Sequence, residues 1–312
     1  MRFFRAGLAV ALLAAVCGCA VTGSGERPKA AETTDATEPS AKGAKEPIDA
    51  RELYLESLKQ QALQPSINLV HEYYRQEKFY PEGSRDVVVS GFDYRTKNVR
   101  LERSQVIVAD GKTSTAWGTW CLGRSEDWFY SSGVRRPWEK RSTTCPSLTD
   151  QTWLNDGLGV GGLTAQQADA FVGYLGDLKG FINAGGMSSV TRNGKPYVRL
   201  EIKVKPVKLA GGGRPVGADL YQDAFKYTEL DSLTHPYGYL ASGGSALDIV
   251  RYIDPETRLP VYSETLETGG GVWKMHRVEY EFGRPVTKST LPAAEPPIAR
   301  LTWQPESKSG SQ

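Results

Sequence analysis

The sequence lacks a strong charge of either sign. Its 312 residues include 38 Lys and Arg and 36 Asp and Glu, which gives a formal net charge of +2. Proteins that bind nucleic acid usually carry a basic patch or stripe and have a high isoelectric point. The balanced charge therefore predicts no nucleic-acid partner.

Residues that mark common active sites are also scarce. The three histidines, His71, His235 and His276, lie far apart in the chain. His71-Glu72 begins like the His-Glu-x-x-His zinc motif, but Arg75 stands where the second histidine belongs. There is no Gly-x-Ser-x-Gly nucleophile elbow. We therefore predict a protein that is not an enzyme, with no catalytic residues, no metal and no cofactor.

The first apolar run is too short to cross a membrane. Arg2 and Arg5 precede it, and it extends over eleven residues, 6–16, whereas a membrane-spanning helix needs about 20. This pattern is typical of a secretory signal peptide. The run ends in Val16-Cys17-Gly18-Cys19, which looks like a bacterial lipobox. We predict a signal peptide at 1–18 and lipidation of Cys19, with plain secretion as the alternative.

The predicted location is the extracytoplasmic face of the cell membrane, with the protein held there by lipid on Cys19. Once residues 1–18 are removed, 36 basic and 36 acidic residues remain, so net charge cannot bind the protein to anionic lipid. Acyl chains would supply the attachment. Residues 19–48 contain no aromatic residue and are predicted to form the lipidated cysteine and a disordered tether. Residues 291–312 are predicted to form an irregular tail.

Cys121 and Cys145 are the two cysteines outside this N-terminal segment. Disulfides form readily outside the cytoplasm. A bridge between the two would close a loop of about 25 residues, worth about 3.5 kcal/mol in the chain-entropy model. We predict that they form a structural disulfide.

The remaining chain, 49–290, is predicted to fold mainly as strands. The runs with a strand pattern are 66–74, 87–94, 99–108, 113–122, 128–130, 188–192, 196–207, 246–253, 260–267 and 272–282. Asp49 and Thr164 are each placed to begin a helix, the first ending before Pro65, and 219–227 is a weaker third helix. In the clearest strand, apolar residues alternate with charged ones, which predicts one buried and one exposed face. Its apolar residues are Val198, Leu200, Ile202 and Val204.

The segment 252–261 carries a family resemblance. Ile253-Asp254-Pro255-Glu256-Thr257-Arg258-Leu259-Pro260 resembles the Ile-Asp-x-x-Thr-x-Leu-Pro strand-turn-strand of the LolA-like superfamily, which includes the LprG/LppX-type bacterial lipoproteins. The resemblance implies an α+β fold in which a curved antiparallel sheet, an unclosed half-barrel, wraps two or three helices. It also implies that the protein carries a lipid or binds a protein, with no catalytic residues.

Two functions are compatible with these features. The first is a lipoprotein that binds or carries a lipid or other hydrophobic ligand in a cavity. The second is a protein-interaction or envelope-sensor lipoprotein on the same fold, with an envelope protein as partner and no lipid ligand. An exported hydrolase is a third and weaker alternative. For the first function, the predicted ligand-binding residues face the concave side of the sheet; they are Val198, Leu200, Ile202, Val204, Val278, Tyr280 and Phe282.

Overall fold

A computed structural model describes most of the segment predicted to fold. The described residues are 49–77, 80–107, 113–122, 126–131, 139–142, 161–209, 215–217, 220–221, 224, 246–269 and 272–287. They belong to one compact unit, Glu46–Gln312. The predicted signal peptide, Cys19, the tether, Cys145 and the C-terminal tail lie outside the described residues.

The described strands form one antiparallel sheet of eleven strands. In chain order they are β1 (Ser66–Glu77), β2 (Tyr80–Asp93), β3 (Asn98–Ile107), β4 (Thr113–Leu122), β5 (Glu126–Ser131), β6 (Glu139–Ser142), β7 (Ile182–Arg192), β8 (Lys195–Val204), β9 (Ala246–Ile253), β10 (Pro260–Gly269) and β11 (Val272–Phe282). Their order across the sheet is β6-β5-β4-β3-β2-β1-β11-β10-β9-β8-β7. The sheet therefore consists of two meanders that are joined where β1 pairs with β11, and it is not closed.

The first helix, α1 (Ala50–Ala62), precedes the sheet in the chain. The Asp49 side chain accepts a hydrogen bond from the backbone N–H of Glu52 at 2.8 Å, which satisfies one of the free donors of the first turn. The helix ends shortly before Pro65, because a residue that precedes proline is driven out of the helical conformation. Its buried face includes Leu53, Tyr54 and Leu58.

The second helix, α2 (Ala165–Asp177), connects the two meanders. Thr164 and Gln167 form a capping box, with reciprocal bonds of 3.2 and 2.9 Å. Ala168, Phe171 and Leu175 lie on one face and are completely buried. Within the described ranges, neither helix is long and apolar enough to cross a membrane.

The helices cover one end of the sheet. They form a single apolar cluster with the β7–β9 end, and its strand members include Leu200, Ile202, Val204, Ile249 and Ile253. We call the face of the sheet that meets the helices the inner face. The register of the strand pairs extends this face without interruption from β8 through β9, β10 and β11 to β1 and β2.

The turn between β9 and β10 has the structure that its sequence predicts. The Asp254 carboxylate accepts hydrogen bonds from the backbone N–H groups of Glu256 and Thr257, both at 2.9 Å. The Thr257 hydroxyl accepts one from the N–H of Leu259 at 3.3 Å. Asp254 thereby closes the turn locally, and Pro260 begins the returning strand.

The predicted fold class, an α+β protein with an unclosed antiparallel sheet and helices on one face, is confirmed. The largest differences from the predicted strands concern β2, β6 and β7. β2 and β7 begin seven and six residues before the predicted starts of 87 and 188, and glycines in both extensions had weakened the strand pattern. The strand β6 was not predicted at all, because its four residues, Glu139–Ser142, have no apolar alternation.

The outer face of the sheet buries an acid. Glu102 is 4% exposed and accepts a hydrogen bond from Nε of Arg100 at 2.8 Å. The Arg100 guanidinium lies 5.0 Å from the Trp120 ring centroid. Burial raises the pKa of the Glu102 carboxyl, while the charge of Arg100 and hydrogen bonds from Arg100 and Trp120 oppose this rise.

Replacement of Leu200 by alanine tests the helix-covered core. Leu200 is completely buried beneath the helices, so Leu200→Ala should lower the free energy of unfolding by about 3 kcal/mol. The control is Lys203→Ala, at an exposed position on the same strand, which should change it by less than about 0.5 kcal/mol. Both values come from denaturant unfolding. An equally small effect of Leu200→Ala would show that this site is not packed.

Replacement of Glu102 by glutamine tests the buried acid. An acid whose pKa is higher in the folded state opposes folding when it is ionised. Glu102→Gln should therefore raise the unfolding free energy at pH 7, and the gain should disappear below about pH 4, where an ordinary glutamate is also protonated. Glu256→Gln, in the exposed part of the β9–β10 turn, is the control. A gain that is independent of pH would contradict this explanation.

Candidate functional site

The seven predicted ligand-binding residues share the inner face but lie in two different apolar clusters. Leu200, Ile202 and Val204 on β8 are completely or almost completely buried among the helices, and Val198 packs against the same cluster. Val278, Tyr280 and Phe282 on β11 belong to a second cluster. The strands β9 and β10 separate the two sets.

The second apolar cluster contains no residue of α1 or α2. It is built from inner-face side chains of β1–β4 and β11, which pack beside one another through the strand register. Its buried members are Ile67, Leu69, Val88, Phe92, Val99, Leu101, Cys121 and Val278. The inner face is thus apolar well beyond the strands on which the helices pack.

Next to this cluster, the inner face carries a group of buried polar side chains. Tyr73 pairs in register with both Asp86 on β2 and His276 on β11, and His276 pairs with Thr265 on β10. We call this group the polar belt. All of its members are at most 7% exposed, and they are His71, Tyr73, Asp86, Thr265, Glu267 and His276.

Two histidines form the centre of the polar belt. Nε2 of His71 and Nδ1 of His276 are 3.1 Å apart, and the two rings stack with centroids 5.3 Å apart. One nitrogen must donate and the other accept, so the bond cannot form when both rings are protonated. Nε2 of His276 also lies 4.0 Å from Oε2 of Glu267. Among the described side chains, no group of three or more His, Cys, Asp or Glu is arranged to hold a metal ion.

A buried arginine lies between the helix-covered cluster and the rest of the inner face. Arg251 on β9 is 4% exposed. Its Nη2 donates to Oε1 of Gln61 on α1, and its guanidinium carbon lies 5.5 Å from the Tyr54 ring centroid and 5.7 Å from that of Tyr280. Burial raises the pKa of Tyr54, and the nearby positive charge of Arg251 is the largest effect that opposes this rise.

The sequence analysis missed both Arg251 and the His71–His276 pair. A signal for Arg251 was present, because Leu247, Ile249, Arg251 and Ile253 alternate along one strand and place the arginine on its apolar face. The histidine pair had no comparable signal. It depends on the pairing of β1 with β11 across 205 residues of sequence, which no local pattern indicates.

Cys121 lies on the inner face of β4, where it is 5% exposed. It is disulfide-bonded. Its predicted partner, Cys145, falls outside the described ranges, so the pairing of these two cysteines remains a prediction.

Comparison with solved structures finds proteins with low sequence identity. LppX from Mycobacterium tuberculosis has 8% identity and a TM-score of 0.38, with 76% of this chain and 97% of that chain covered. A putative outer membrane lipoprotein-sorting protein domain from Vibrio parahaemolyticus has 11% identity and a TM-score of 0.24, with coverage of 77% and 96%. MucB, solved in complex with MucA(peri), has 13% identity and a TM-score of 0.29, with 83% of this chain and 66% of that chain covered.

No family model matches the chain, and no curated protein matches it significantly.

A double-mutant cycle tests the histidine pair. His71→Phe and His276→Phe each remove the ring–ring hydrogen bond and leave the other imidazole buried. Each should lower the unfolding free energy by about 1–3 kcal/mol. The double variant replaces both partners with apolar rings, so its loss should be smaller than the sum of the single losses by about 1 kcal/mol. Strictly additive losses, measured by denaturant unfolding, would show that the two rings are not coupled.

Proposed function

We propose that this protein is a lipid-anchored extracytoplasmic lipoprotein that binds a lipid or other hydrophobic ligand on the inner face of its half-barrel. The observation that carries the proposal is the second apolar cluster, which lies on the inner face and contains no residue of either helix. Attachment through Cys19 would keep the protein at the membrane that supplies the ligand.

The dimensions of the elements support this proposal. Eleven strands spaced about 4.8 Å apart give a sheet about 48 Å wide. Each helix has 13 residues, so it is about 20 Å long and about 10 Å in diameter. Two such helices, both packed at the β7–β9 end, cannot cover the whole inner face. The apolar side chains on β1–β4 and β11, although they are buried, therefore lie outside the area that α1 and α2 cover.

An acyl chain is well suited to pack against this part of the inner face. Each buried methylene group contributes about 0.8 kcal/mol, so a chain of ordinary length would bind without any specific polar contact. We assign the ligand contacts to Val278, Tyr280 and Phe282, which lie in the second cluster. The predicted β8 residues, Val198, Leu200, Ile202 and Val204, would instead hold the helices.

The first test is native mass spectrometry of a soluble form that begins at Ala20. The protein is produced in a host that contains lipid, and an organic extract is analysed in parallel. We expect a stoichiometric co-purified lipid of defined acyl mass. A ligand-free mass together with no uptake of added lipid would contradict the proposal, and would favour the envelope-protein partner instead.

A pair of variants locates the ligand on the correct face. Val278→Asn places an amide in the second apolar cluster and should reduce the retained lipid severalfold. Val70→Asn is the matched control, since Val70 lies on the adjacent strand β1 and packs with Tyr252 and Tyr262 on the outer face. Equal retention by the two variants would exclude the assigned position.

A further inference from the structure

The buried arginine on β9 has an unusual environment for a cation. Arg251 occupies an inner-face position between Ile249 and Ile253, which belong to the helix-covered apolar cluster. Only 4% of Arg251 is exposed. A charge in such a place loses most of its hydration and needs a compensating anion or a set of hydrogen bonds.

The compensation that the described residues supply is incomplete. Gln61 accepts one hydrogen bond from Nη2, Tyr54 shares a side-chain hydrogen bond with Arg251, and the rings of Tyr54 and Tyr280 lie against the guanidinium. These are all neutral groups. The Nε–H group of Arg251 is buried with no hydrogen-bond partner in the part of the chain that the structure describes.

No acid among the described residues is placed to neutralise this charge. The residues that pair with Arg251 in the strand register are Ser263 on β10 and Leu200 on β8. Neither is acidic. The buried carboxylate on the inner face of β10, Glu267, lies four residues beyond Ser263, which is about 13 Å along the strand. It lies instead beside His276.

Arg251 also lies beside one end of the surface to which the ligand is proposed to bind. Its guanidinium contacts the ring of Tyr280, which packs against the second apolar cluster. The Tyr280 hydroxyl is 3.0 Å from the hydroxyl of Ser263, next to Arg251 in register. A group bound at Arg251 could therefore continue directly into an acyl chain on β11 and β1.

We propose that Arg251 binds the anionic headgroup, a carboxylate or a phosphate, of the hydrophobic ligand. This inference rests on the proposed lipid-binding function and narrows the ligand to anionic lipids. The planar guanidinium can donate two parallel hydrogen bonds to carboxylate or phosphate oxygens, and Nε–H is one of the donors used in such pairs. The acyl chain of the same ligand covers the second apolar cluster.

The test compares two ligands that share a chain and differ in the headgroup. Oleate and oleyl alcohol are titrated separately against the delipidated soluble form, and displacement of a fluorescent hydrophobic probe is measured. We expect oleate to bind at least tenfold more tightly than oleyl alcohol. Inorganic phosphate alone is titrated in parallel and should bind far more weakly than oleate, since it has no acyl chain.

Two variants assign the preference to one side chain. Arg251→Met should abolish the preference for oleate over oleyl alcohol, and Arg251→Lys should retain part of the preference. Replacing a buried charge with an apolar side chain of similar length is often tolerated by the fold. Lys203→Met removes a positive charge from an exposed position on neighbouring β8 and should behave like the wild type.

The possible outcomes separate this inference from the proposed function. Equal affinities for oleate and oleyl alcohol in the wild type would overturn the inference and leave lipid binding intact, and this comparison needs no variant. A preference for oleate that survives Arg251→Met would also overturn it. Phosphate binding as tight as oleate binding would indicate a site for a free anion and overturn the lipid assignment. If neither oleyl compound binds, the proposed function fails as well.

Discussion

The pairing of β1 with β11 is the interaction on which the rest of the structure depends. Nine residue pairs, from Ile67 with Phe282 to Arg75 with Lys274, join the start of the first meander to the end of the second. Without this junction there would be two separate sheets, each with its own narrow apolar face. With it, the inner face continues from the helix-covered strands to β4, and residues more than 200 positions apart become neighbours.

This junction also explains why the inner face has two parts with different chemistry. Both helices pack at the β7–β9 end, where the cluster is a conventional core of aliphatic and aromatic side chains. At β1 and β11 the same face includes an aliphatic cluster and a belt of buried polar groups. A stable core gains nothing from buried histidines and acids unless they are well paired. In the polar belt, the hydrogen bond between His71 and His276 and the contact of His276 with Glu267 supply part of that pairing.

Much of the fold was predictable because its signals are local. Alternation identified β8, capping residues identified the start of both helices, and the Asp254 turn identified the β9–β10 hairpin. The two-cluster division was not predictable, because the sequence predicts which residues of β8 and β11 are buried but not what lies over them. In the same way, His71 and His276 become a pair only through long-range register. Arg251 was predictable in part. The alternation along β9 places it on the apolar face of the strand, but the sequence does not indicate that its partners are neutral.

The described neighbours of Arg251 are neutral, whereas those of Arg100 are not. Arg100 on the outer face has an acid, Glu102, at 2.8 Å and is a cation stabilised within the protein. Arg251 has the same kind of aromatic neighbour but an amide in place of the acid. An amide orients a guanidinium by one hydrogen bond without neutralising it, and so leaves its charge available to an incoming anion. A protein that already neutralised this arginine would have no electrostatic reason to prefer an anionic ligand over a neutral one of the same length. Incomplete compensation is therefore the physical basis for selectivity at this position.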